Sequence, residues 1–183
     1  MSAPNDQDLA IIATQLGREP RGVLAVAYRT PDGVPAVVKT APRLPDGTPF
    51  PTLYYLTDPR LTAEASRQES AGVMREMTER LGSDRELAAA YLAAHESYLA
   101  ERNEIESLGT DFTGGGMPER VKCLHVLIAH ALAKGPGVNP FGDEAVALAA
   151  DNGLRGTAIP ADWPTYERAG VNETGVQESG AQA

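Results

Sequence analysis

Apolar and polar positions follow two rhythms along the chain. Between residues 22 and 57 the pattern is short and extended. GVLAVAYR at 22–29, PAVVKT at 35–40 and PTLYYLT at 51–57 are rich in β-branched and aromatic residues and are bounded by turn signals. PDGVP at 31–35 joins the first two, with Pro31 presetting φ and Gly33 free to take a positive φ. PRLPDGTPFP at 42–51 makes a longer, stiffer connection. Three strands joined by short loops predict an antiparallel meander.

From Pro59 onward the rhythm is helical. Leu61, Ala65, Val73, Met74, Met77 and Leu81 recur at three- and four-residue spacings, and Gly82 stops the run. A second helix over 84–108 carries a heptad-like stripe, Leu87, Tyr91, Ala94, Tyr98, Ile105 and Leu108, broken at Glu101. The two form a helical hairpin. A further pair follows, one helix from about Pro118 to Lys134 and a short one beginning at DEAVALAAD. Ahead of the strands, residues 6–16 predict a helix capped by Asp6 or Asp8 and ended by Gly17. The fold class is therefore α+β: a small three-stranded antiparallel sheet packed against the hairpin and the C-terminal helix pair. The domain spans 1–152. Residues 153–183 read as loop, with the composition of a disordered acidic tail.

Composition narrows the function classes. The net charge of −9 argues against a nucleic-acid partner. No apolar run approaches the roughly 20 residues of a membrane span, and MSAPNDQDLAIIATQLG lacks the basic start of a signal peptide, so a cytoplasmic protein is expected. The single cysteine excludes an intramolecular disulfide and a cysteine-rich zinc knot.

The candidate chemistry gathers in GGGMPERVKCLHVLIAHALAKGPGVNPFGDEA, residues 114–145. Three readings stand side by side. In the first, Gly114, Gly115 and Gly116 lead into a helix whose first turn holds Pro118, so free backbone N–H groups face a phosphate-like small anion. Arg120 and Lys122 stand close by, Arg18, Arg21 and Arg43 come from the sheet side, and His125 is the proton donor if the protein is an enzyme. No Walker or dinucleotide fingerprint is present, and no cofactor is indicated. In the second, Cys123 ligates a metal. His130 shares its helical face but lies roughly 10 Å further along the axis. The remaining ligands must come from elsewhere, with Asp58, Cys123 and His130 as one set. In the third, the 60–108 hairpin docks a protein partner through its stripe.

GREPRGVLAVAYR, DGTPFPTLYYLTDPRL, AHESYLAER and the 114–145 stretch together resemble the bacterial domain-of-unknown-function family five-hundred-and-one, common in actinomycetes, over roughly residues 16–150. The resemblance implies a bacterial cytosolic protein and no particular activity. Its gene neighbourhood, a septum-formation initiator and an exopolyphosphatase, adds cell-division or envelope control to the partner reading. Relatives often carry cysteine where this chain has Asp58. The resemblance therefore implies a metal or redox pair with Cys123 that this chain cannot form as a dithiol, although aspartate retains metal affinity.

Overall fold

The computed structural model describes residues 1–166. Helix α1 (Asp6–Leu16) is followed by β1 (Val23–Arg29), β2 (Pro35–Thr40) and β3 (Tyr54–Leu56). The strands form one antiparallel sheet in the order β1-β2-β3, with Val26 opposite Val38 and Val38 opposite Tyr55. Asn5 caps α1. Its side chain accepts from the Asp8 N–H, while Asp8 reaches back to the Asn5 N–H at 3.1 Å. Asp6 and Asp8 are thus not the caps, although Asp8 completes the box. Asp8 also takes both Nη atoms of Arg29, which ties α1 to β1 and holds the carboxyl below its ordinary range.

The first arm of the predicted hairpin is two helices, α2 (Pro59–Ser70) and α3 (Val73–Leu81). The break falls at Gly72, which sits at φ +83, a conformation costly for any residue with a Cβ. Helix α4 (Arg85–Ile105) is capped by Asp84. Its stripe turns inward: Tyr91, Ala94 and Tyr98 are buried, and Leu108 lies beyond the helix. These three stripe residues pack into this chain's own core, while Ile105 at the helix end stays exposed. Glu101, in line with that stripe, is no solvated group. Its carboxylate binds Lys39, Lys134 and the Tyr54 hydroxyl at 2.6–3.1 Å. Burial alone would raise it, but these three donors outweigh burial and hold it at about 2.

Helix α5 (Leu124–Lys134) runs through the centre of the molecule, apolar on most sides, with residues 126–132 buried and its two ends, at His125 and Lys134, reaching the surface. It begins at Leu124, not Pro118. The preceding 114–123 are turns and extended backbone. Helix α6 (Pro140–Ala149), capped by Asn139, packs on α5 so closely that a Cβ on Gly142 would fall well inside contact distance of the Leu127 carbonyl oxygen. A kinked turn, Ala150–Leu154, follows, with Gly153 at φ +98. Ala158, Ile159 and Trp163 are buried against the same core, beyond the boundary at 152 suggested by composition. Of the expected acidic tail, 153–183, residues 167–183 lie outside the described residues.

Candidate metal centre

Cys123 is the N-cap of α5, with an extended backbone at φ −150 and ψ 111. It offers no side-chain cap. The first N–H of the helix, that of Leu124, is instead met from another element: it donates to Glu69 Oε1 at 2.7 Å, from the last turn of α2. A carboxylate at a helix N-terminus satisfies an orphan donor and complements the positive end of the helix dipole. The next residue, His125, meets the same oxygen, with Nδ1 3.1 Å from Glu69 Oε1. Cys123 Sγ lies 4.0 Å from that same nitrogen. The imidazole's other nitrogen, Nε2, is 3.4 Å from Ser66 Oγ.

One donor atom from each of Glu69, Cys123 and His125 thus lies within 4.8 Å of the other two. All three residues are partly buried. The thiol and the carboxylate beside it, in that order, outweigh burial and push the His125 imidazole up to about 9. The position is one that a cation, whether proton or metal, is drawn to occupy.

The shape of the cluster decides between two chemistries. In a nucleophile–histidine–carboxylate relay, the nucleophile and the carboxylate address different imidazole nitrogens, so that one is the base and the other is oriented. Here both face Nδ1. Three donors converging on one locus is the arrangement of a metal site. A tetrahedral ion with bonds of about 2.0–2.3 Å needs ligand–ligand edges of about 3.3–3.8 Å. The observed edges of 3.1 and 4.0 Å bracket that range. Thiolate, imidazole and carboxylate together suit a borderline ion of the zinc type. The Leu124 amide on Glu69 and the Ser66 hydroxyl near Nε2 supply outer-shell support.

The centre opens onto a cleft of about 450 Å³ lined by Cys123, His125, Gly114, Val126 and the run Tyr54 to Leu56. A fourth coordination position there would face mainly apolar walls.

The residues singled out from sequence are redistributed. Of Asp58, Cys123 and His130, only Cys123 belongs to the cluster. Asp58 is the N-cap of α2, accepting from the Arg60 and Leu61 amides and pairing with the Arg60 guanidinium at 2.8 Å. His130 is fully buried, stacked on Tyr54 at 5.8 Å between ring centres, with Nδ1 3.1 Å from Asn139 Nδ2. Burial, aided by Lys134, pushes it down to about 4, so it is neutral.

The anion cradle does not assemble, because its helix does not start at Pro118. The triple glycine packs against α5 instead. A Cβ on Gly115 would meet Leu127 at 3.0 Å, and Gly116, at φ +86, has no room beside Lys122. Arg120 and Lys122 line one concavity, Arg18 and Arg21 another, and Arg43 pairs with Glu106 at 2.6 Å. Glu69 was missed from sequence. It lies more than fifty residues from its partners. The legible signal was Cys-x-His just where an apolar helical run begins.

A family described as protein of unknown function (DUF501) matches residues 26–147. The chain belongs to the DUF501 family. The matched span contains all three members of the DUF501 chain's cluster, and Arg18 and Arg21 lie outside it. No curated protein and no solved structure matches the chain. Among the described residues no helix is long and apolar enough to cross a membrane.

Proposed function

We propose that Glu69, Cys123 and His125 bind a divalent ion of the zinc type, and that the protein is a metal-dependent binder of small molecules in the adjoining cleft. The observation that carries this reading is the gathering of a thiol, a carboxylate and an imidazole donor within 4.8 Å of one another, at the mouth of a largely apolar cleft. Three protein ligands leave a position open, and an ion so held can polarise a carbonyl or lower the pKa of a bound water to about 7.

The test uses protein purified without an affinity tag. Elemental analysis and zinc titration are expected to give one ion per chain, and cobalt substitution a thiolate-to-cobalt absorption band that disappears in Cys123→Ser. Absence of stoichiometric zinc, cobalt, nickel or iron binding overturns the reading. A second reading then takes its place, favoured by the raised His125 and by the position of Cys123 at a helix N-terminus: an imidazolium-paired reactive thiolate. Rapid alkylation of Cys123 at neutral pH, slowed by Glu69→Gln, is its signature.

A further inference from the structure

The metal-centre cleft is one end of a longer depression. A middle concavity of about 360 Å³ shares Tyr55, Leu56 and Thr62 with the cleft. It shares Leu16 and Tyr55 with a third concavity of about 250 Å³ beside the end of α1. Tyr55 borders all three, so the depressions adjoin around β3 and run from Cys123 and His125 to Arg18 and Arg21.

The chemistry changes along this path. Its two ends have mainly apolar walls, and its middle sets Leu16, Leu56, Pro59 and Ala63 beside Gln15, Thr57 and Thr62, with Tyr55 facing Phe50 at 6.0 Å between ring centres near the arginine end. The far end holds two exposed guanidinium groups. Six other arginines, at 29, 43, 60, 67, 80 and 155, are paired with carboxylates. Arg18 and Arg21, like Arg75, Arg85, Arg102 and Arg120, form no salt bridge among the described residues, and these two share one concavity. Arg18 reaches only the Glu19 carbonyl, at 3.3 Å, and Arg21 acts on Asp46 through space, as one of the weaker influences lowering it. In a chain of net charge −9, two such cations at the end of this path are suited to a ligand's negative group. The nearby Glu19 and Asp46 limit the local positive charge, which favours a monoanion over a phosphate dianion.

We infer that the trough takes an elongated amphipathic monocarboxylate. Its carboxylate lies at Arg18 and Arg21, its apolar stem crosses Tyr55, and its far end presents a donor group to the metal centre. This assignment of ligand class rests on the metal-centre reading above.

The test uses zinc-loaded full-length protein and the monohydroxamic acids of adipic, suberic and sebacic acids, which carry a zinc-binding group at one end and a carboxylate at the other. Octanohydroxamic acid, which lacks the carboxylate, is the reference. At one chain length at least, the carboxylate is expected to tighten binding about tenfold or more. The Arg18→Ala/Arg21→Ala double variant, altered only at exposed positions, is expected to lose that advantage while keeping its zinc content and its affinity for octanohydroxamic acid. Thr62→Phe, which narrows the middle of the trough, is expected to weaken the long probes and spare acetohydroxamic acid. A carboxylate that helps at no length, or an advantage indifferent to the two arginines, overturns the trough and leaves the metal centre standing. Failure to bind zinc at all is read separately in the metal titration and removes both.

Discussion

Helix α5 carries two histidines five positions apart, and their surroundings hold them in opposite states. His125, in the first turn, shares its Nδ1 with a thiol and a carboxylate and is pushed up to about 9. His130, near the middle, lies between the rings of Tyr54 and Tyr98, receives a hydrogen bond from Asn139, and is pushed down to about 4. Both are imidazoles on one helix in one chain. What differs is the company: a thiol and a carboxylate at the helix entrance, apolar rings at its centre. Burial alone therefore does not mark a functional histidine. A converging set of donors with an opening beside it does.

The comparison breaks most sharply at the ligands. Replacing Cys123 by serine should weaken zinc binding on the order of 10²–10³-fold, since the roughly 10–16 kcal/mol of a structural zinc site is divided among a few ligands. The melting temperature of metal-free protein should barely move, because the thiol is only partly buried. His130→Ala should do the reverse. It opens a cavity among Tyr54, Tyr98 and Asn139, should cost about 3 kcal/mol in a urea titration, and should leave zinc affinity within a few-fold. Equal effects of the two variants on both measurements would erase the distinction between entrance and core.

A smaller effect separates the two residues by pH. An unfolded histidine titrates near 6.5. His125, raised in the folded state, contributes stability that is fully present below about 6.5 and is lost as pH rises through about 9. His130, depressed, contributes stability that is present above about 6.5 and is lost as pH falls through about 4. Metal-free protein should therefore melt highest near neutrality. His125→Gln should flatten the alkaline limb alone. Zinc must displace a proton from His125 and another from the Cys123 thiol, so its affinity should rise by up to roughly a hundredfold per pH unit while both groups are protonated. The smallest expected effect lies one contact further out. Ser66→Ala, which removes the hydroxyl 3.4 Å from His125 Nε2, should weaken zinc about tenfold or less without changing stability.

The strands and most helices were legible because their residues alternate or repeat against one continuous core, and local caps agree with that pattern. Gly17 and Asp84 punctuate α1 and α4, although the cap of α1 is Asn5 and not Asp6 or Asp8. The entrance of α5 was not legible. Gly-Gly-Gly followed by Pro118 has the composition of a helix start, but Gly114 and Gly115 are needed for close approach to Val126 and Leu127, which holds that segment outside the helix. The site followed the same rule. Cys123 and His125 are neighbours in sequence and stood out. Glu69 reaches them only because α2 packs across the start of α5, and no local pattern encodes that crossing. Arg102 makes the same point. Its guanidinium is fully buried on the Thr110 and Phe112 carbonyls, although its helix face reads as charged and solvated.

The contact at Gly142 has a consequence on the timescale of amide exchange. With no side chain between them, α5 and α6 cannot part by a local rearrangement that keeps the rest of the core intact. Their backbone deuteration should follow global opening, as a single cooperative unit. The Leu124 amide, bonded to Glu69 across that unit's edge, should exchange with it, while the turns at 114–118 label early.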